Sequence, residues 1–164
     1  QLGFQPNLVF VVMESTGADY IFDQSFGELP MPFLRSLVDK GMFLENHHST
    51  ANTSPRGIFS IFSGLYPEQH PNMVCVRSDL KIPSLFSFLP DETDSLWMTP
   101  GRLKSYFPRA FFENSGLRTI EGLETIPLDR VRPGPDNARN EFDVAEVFEE
   151  RLMHAQEPFS YVYF

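Results

Sequence analysis

Two short apolar runs, near opposite ends of the sequence, limit what this chain can fold into. Leu8-Val9-Phe10-Val11-Val12-Met13 is continuous and rich in Val, and Phe159 to Phe164, mostly aromatic, also reads as a buried strand. The first run, counted from Asn7 to Met13, is too short for an ordinary helix. Uninterrupted runs of this kind are strands buried on both faces. Between the two runs, further strand-like segments alternate with amphipathic helical ones. The expected fold is therefore α/β, a mostly parallel sheet with helices on both faces. With 164 residues, 41% of them hydrophobic and 17 of them Phe, the chain has material for one packed core. That composition argues for a packed globular domain and against a disordered chain.

The sequence also predicts the order of elements. Glu14 to Leu29, with Gly17, Gly27 and the following Pro30, reads as a loop. Met31 to Lys40 carries a helical stripe of Phe33, Leu34, Leu37 and Val38, with Gly41 as its stop. Met42 to Glu45 reads as a short strand. Ser54 to Ser63 reads as an apolar helix with Pro55 at its first position and Gly64 closing it. Ile82 to Leu89 reads as a helix and Asp94 to Thr99 as a strand ending at Pro100-Gly101. Leu103 to Asn114 reads as a helix interrupted by Pro108, and Leu117 to Arg139 mostly as loop. Asp143 to Glu146 resembles a capping box. Val144, Val147, Phe148 and Leu152 then keep helical spacing.

Charge and cysteine content narrow the function. Lys plus Arg number 13 and Asp plus Glu 22, a net charge of −9. No basic cluster is available to neutralise a phosphate backbone, so nucleic acid is not an expected partner. An acidic chain can still take an anionic substrate if a metal supplies local positive charge. Cys75 is the only cysteine, which excludes a disulfide framework and a Cys-based zinc site. No segment is long and apolar enough to span a membrane, and none has the pattern of a signal peptide.

Three residues stand out chemically. Glu14 directly follows the first strand, and ligands of open α/β sheets bind beyond the carboxyl ends of strands. A carboxylate there can hold a hard or borderline divalent cation; it can equally be a solvated loop acid or a helix cap. Ser54 stands at the mouth of an apolar helix, where backbone N–H groups and the helix dipole favour an anion. A nearby metal would make its hydroxyl a nucleophile, although plain N-capping is the commoner role of such a serine. Thr53 is the adjacent alternative. Arg56 lies in the first helical turn, an unfavourable place for a cation unless it contacts a phosphate or sulfate; an exposed arginine with its head in water is the plainer reading. His47 and His48 could ligate metal or touch substrate, but no spacing identifies their partners. His70 and His154 say less. Trp97 and most Phe residues read as core.

These residues resemble a known family. Pro6 to Ser15 looks like the opening of the sulfatase-like branch of the alkaline phosphatase superfamily. Within that branch it is similar to the lipoteichoic acid synthase and phosphoglycerol transferase group. Pro32-Phe33-Leu34, Leu37 and Gly41-Met42-Phe43 are similar to that group's next helix and strand. Ser54-Pro55-Arg56-Gly57 through Ser63-Gly64-Leu65-Tyr66-Pro67 resembles its nucleophile helix. Gly101-Arg102-Leu103 and Phe111 to Leu117 resemble later segments.

The resemblance implies an alkaline-phosphatase-like fold and a divalent metal ion (Mn, Mg or Zn) held in part by Glu14 and Ser54. It makes Ser54 the nucleophile and Arg56 a substrate-binding residue; Thr53 fits only if the register shifts by one. Sulfatases with a formylglycine show Cys or Ser, any residue, Pro, any residue, Arg. Here Pro55 follows Ser54 immediately and Arg56 comes next, which favours phosphoryl or phosphoglycerol transfer over sulfate-ester hydrolysis. The family completes its metal site with an Asp-His pair and a further His far downstream. Residues 1–164 are therefore expected to be the N-terminal portion of a sulfatase-like catalytic domain, inactive by itself. The implied substrate is a small-molecule or lipid-linked phosphate ester. The implied location is the extracytoplasmic face of the membrane or the periplasm, with any membrane contact made by segments outside these residues. Two alternatives remain: a sulfuric-ester hydrolase, and a non-catalytic α/β fragment with an incomplete metal site.

Overall fold

The computed structural model describes residues 6–22, 25, 27–67, 81–103, 112, 114–135 and 138–164. The chain divides into a larger unit, Gln1–Val12 with Thr50–Phe164, and a smaller one, Met13–Ser49.

The larger unit is built on four strands: β1 (Leu8–Val11), β2 (Asp94–Met98), β3 (Thr119–Glu121) and β4 (Phe159–Tyr163). They lie in the order β1-β4-β2-β3, and every pairing is parallel. Leu8 stands opposite Ser160, Leu96 opposite Tyr161, and Trp97 opposite Ile120. Val and aromatic residues fill β4, the inner strand between β1 and β2, and Val162 on it is fully buried.

The direction of the connections decides where the helices lie. From β1 to β2 and on to β3 the chain moves across the sheet one way; from β3 to β4 it turns back. Right-handed crossovers taken in opposite directions put their helices on opposite faces. Helix α3 (Ser54–Ser63) belongs to the first crossover and α4 (Glu141–Met153) to the last. On one face, Ile58, Phe59 and Phe62 of α3 pack with Phe86, Trp97, Phe112, Leu117, Ile120 and Val162. On the other, Val144, Val147 and Phe148 of α4 pack on Leu96, Met98, Ile126, Val131 and Tyr161. Both predicted features, the parallel sheet and its coverage on two faces, are present, but β1 is not buried on both faces as expected: α4 does not reach past β4, and Val9 and Val11 are exposed.

Several local expectations change. Pro55 is the second helical residue of α3, not the first; Ser54 precedes it and Thr53 is the N-cap. Gly64 closes this helix in the left-handed region at φ 69°, where only a residue without Cβ is unstrained. Ile82 to Leu89 is not a full helix but a 3₁₀ turn, Leu85–Phe88. Ser84 caps it, its hydroxyl accepting from the Phe86 N–H at 3.1 Å and its own N–H donating to Ser87 Oγ at 2.9 Å. The loop expected from Leu117 to Arg139 contains β3, too short to stand out in the sequence. Asp143 is not a helix cap: Asn140 takes that place, its Oδ1 accepting from the N–H groups of Phe142 and Asp143. Asp143 instead binds Arg132. Between Leu103 and Asn114, residues 104–111 and 113 lie outside the described residues.

The smaller unit carries α1 (Asp19–Phe22), inside the stretch expected as loop, and α2 (Pro32–Val38), shorter than the predicted helix. Asp39 is the C-cap of α2, so Gly41 lies beyond its end. Met42 to Glu45 is not a strand. The Phe22 and Phe43 rings are 4.9 Å apart, and the Arg35 guanidinium stands 5.6 Å over the Phe22 ring. The expected stripe on α2 is only half realised: Leu34 and Val38 are half-buried, while Phe33 and Leu37 are exposed. No helix among the described residues is long and apolar enough to cross a membrane.

Candidate active site

Helix α3 brings three of the singled-out residues into one turn. Thr53 is extended at φ −133°, ψ 140°, and its hydroxyl makes no capping hydrogen bond. Its carbonyl accepts from the Gly57 N–H at 3.0 Å, closing the first turn. Ser54 follows as the first helical residue and Arg56 as the third. Pro55 has no N–H to leave unsatisfied there. The first turn carries no acidic residue, so the positive end of the dipole is not neutralised from within the helix.

Arg56 is half-buried, and its Nε is a buried donor with no hydrogen-bond partner among the described residues. One turn on, the buried Ser60 hydroxyl also has none. Unsatisfied buried donors are uncommon and call for an explanation. The sequence reading passed over Ser60. Its spacing of four from Arg56, which puts both on one helix face, was the available signal.

Glu14 belongs to the smaller unit. It sits in a turn whose next residue, Ser15, takes φ 54°. A left-handed non-glycine residue costs about 1–2 kcal/mol. The Thr16 hydroxyl donates to the Glu14 carbonyl at 3.1 Å and helps to hold this turn. Glu14 itself is exposed, two residues past Val12, whose N–H bonds the Tyr163 carbonyl at 2.9 Å. Thr53, Ser54 and Arg56 are thus brought together; joining Glu14 to them is a proposal. His47 and His48 are exposed, and His154 Nδ1 lies 2.8 Å from the Glu150 carbonyl. His70 and Cys75 lie outside the described residues.

Enzymes of the alkaline phosphatase superfamily generally use divalent metal ions. Glu14 offers a carboxylate suited to such an ion, but among the described residues no three His, Cys, Asp or Glu side chains gather as a metal site. Among the described residues the donors do not form a metal centre by themselves.

A parallel sheet sandwiched by helices, with a hydroxyl-bearing helix mouth in the first crossover, is compatible with an alkaline-phosphatase-like domain. Two solved structures share this fold. One is a protein in the alkaline phosphatase superfamily from Vibrio parahaemolyticus, with TM-score 0.74 and 23% identity over 98% of this chain. The other is the lipoteichoic acid synthase LtaP from Listeria monocytogenes, with TM-score 0.78 and 15% identity over 96%. The chain spans 40% of the length of each. No curated protein matches it significantly. The sulfatase family model matches residues 6–122, and the chain belongs to the sulfatase family.

Proposed function

We propose that residues 1–164 are the N-terminal portion of a sulfatase-like catalytic domain that acts on phosphate esters in the manner of a phosphoglycerol transferase. The substrate class is a small-molecule or lipid-linked phosphate ester, met at the extracytoplasmic face of the membrane or in the periplasm. Family membership and the likeness to LtaP support the class of enzyme. The observation that carries the choice of site is the buried Nε of Arg56 in the first turn of α3, which has no hydrogen-bond partner among the described residues. A guanidinium placed against the helix dipole becomes favourable when an anion sits between them. A crossover helix of a parallel sheet returns against the strand direction, which would aim the α3 mouth at the carboxyl edge of the sheet.

In this reading the Ser54 hydroxyl attacks phosphorus and the bond to the leaving alcohol breaks. The departing oxygen takes the proton that the hydroxyl loses. The phosphoryl group then passes from Ser54 to an acceptor (lipid, glycan or water), and the hydroxyl is restored. Arg56 orients the phosphate oxygens and opposes their charge. Glu14 would supply one carboxylate to a divalent ion, Mn, Mg or Zn, in a site completed by donors outside these residues. When bound, such an ion supplies positive charge and lowers a hydroxyl's pKa.

Thr53 is the second candidate nucleophile, because it holds the N-cap position with a hydroxyl that caps nothing. The test is phosphodiester turnover with added divalent metal, using protein expressed from the complete open reading frame. Ser54→Ala is expected to abolish turnover and Thr53→Ala to have a milder effect. The reverse ranking moves the nucleophile to Thr53. Full activity in both variants, or in residues 1–164 alone, removes the assignment. Turnover of a sulfate ester but not of a phosphodiester favours the sulfatase reading.

A further inference from the structure

We infer that a cavity at the amino ends of β2 and β3 binds a free α-amino acid with a small apolar side chain. The cavity has a volume of about 290 Å³. Its walls are the 3₁₀ turn, the turn of residues 90–93 that leads into β2, and residues 116–118, which lead into β3. The Thr93 N–H closes the second of these on the Pro90 carbonyl at 3.0 Å. This is the edge of the sheet away from the one assigned to catalysis, so neither reading depends on the other.

Two opposite charges line the cavity without meeting. Arg118 and Asp91 are both exposed, and neither side chain enters an ion pair or hydrogen bond among the described residues. Elsewhere in the larger unit Arg130, Arg132 and Arg151 each reach a carboxylate. Below Arg118 lies Ser95, only 3% exposed. Its Oγ accepts the Arg118 N–H at 3.1 Å, and its own proton has no acceptor among the described residues. A buried hydroxyl ordinarily donates as well as accepts.

These groups sort by what they can hold. The Arg118 fork and the Ser95 hydroxyl proton are donors suited to a carboxylate. The Asp91 carboxylate accepts only, and suits an ammonium. Buried Phe86, half-buried Leu89 and Pro90 add an apolar wall. A molecule with a carboxylate, an ammonium and a short aliphatic side chain satisfies all three. A phosphate or sulfate would meet Arg118 but face the like charge of Asp91. The volume lies near the lower end of small-molecule sites, ~300–1,000 Å³, which suits a ligand the size of an amino acid.

The test is calorimetric titration of L-leucine into the protein from the complete open reading frame, with acetate, isopentylamine and inorganic phosphate as comparisons. L-Leucine is expected to bind saturably, about 10-fold or more tightly than any of the three. It should also shift the Leu89 methyl resonances in the unaltered protein. Arg118→Gln and Asp91→Asn, at exposed positions, are each expected to weaken binding by about 10-fold or more and to leave the Tm of the free protein unchanged. No saturable binding up to about 10 mM overturns the inference, as does unchanged affinity in either variant. Acetate, isopentylamine or phosphate binding as tightly as L-leucine makes the cavity a site for a single ion and overturns it too. If a variant unfolds, the Leu89 methyl groups still decide: L-leucine binding that leaves them unmoved places the ligand elsewhere and overturns the inference.

Discussion

The Phe62 ring on α3 stands edge-on to Trp97 on β2, with centroids 5.3 Å apart and planes at 71°. Phe62 also stacks on Phe86 at 5.4 Å and meets Phe10 at 5.9 Å. One side chain therefore ties the proposed nucleophile helix to two strands and to the 3₁₀ turn. Phe62→Ala would open a cavity in a cluster where Trp97 is fully buried. The expected loss is about 3–5 kcal/mol in urea-induced unfolding. A loss under ~1 kcal/mol would mean that this contact does not anchor the helix.

Gly116 supports the same cluster from a turn. Its φ is 95°, and a Cβ there would lie 3.0 Å from both the Cα and the N of Ser87. Backbone cannot yield as a side chain can. Gly116→Ala is expected to cost more than the ~1–2 kcal/mol of the left-handed conformation alone. Ser87→Ala, measured beside it, should be milder, since it removes one hydroxyl of the Ser84 cap without moving backbone.

At the opposite face, Arg132 grips Asp143 at the start of α4. The Arg132 Nε and backbone N–H both reach Asp143 Oδ2 at 2.8 Å. The Arg132 hydrogen bonds hold the Asp143 pKa at about 2, below its ordinary value of 3.8. A carboxyl depressed on folding contributes stability above its unfolded pKa and loses that contribution as pH falls through the folded one. The stability added by this pair should therefore fade between about pH 4 and pH 2. Asp143→Asn should flatten the acid side of the unfolding curve in that interval. An unchanged slope would show that the contact does not persist in solution.

The sequence made the sheet legible where apolar residues cluster. β1 is a continuous apolar run, β2 and β4 are apolar apart from Asp94, Ser95 and Ser160, and α4 kept its spacing through Val144, Val147 and Phe148. β3 was not legible, because Thr119-Ile120-Glu121 buries one residue and owes its strand geometry to pairing with β2. The cap of α4 was misplaced because Asp143 and Asn140 are both good capping residues, and a distant arginine decided between them. At the site, the motif around Ser54 located the helix mouth. The division of roles between Thr53 and Ser54, and the buried state of Arg56, depend on backbone geometry that the letters do not carry. Glu14 could be placed after β1, but the φ of 54° at Ser15 had no signal, since serine seldom adopts it.

Glu14 and Arg56 should fail differently when removed, and that difference tests the proposed division of labour. Glu14→Ala removes a charged oxygen donor, so divalent-metal affinity measured by titration calorimetry should fall together with turnover, and excess metal should restore part of the rate. Arg56→Ala removes a donor aimed at the phosphate, so metal affinity should hold while kcat/KM falls by about 10²–10³-fold. Arg56→Lys should recover only part of this, because a point charge does not reproduce the planar fork of a guanidinium. Both variants belong in the protein from the complete open reading frame, assayed on one phosphodiester across a range of metal concentrations. If Glu14→Ala binds metal as the wild type does, Glu14 is a loop acid and not a ligand. If Arg56→Ala keeps full kcat/KM, its buried Nε faces something other than substrate.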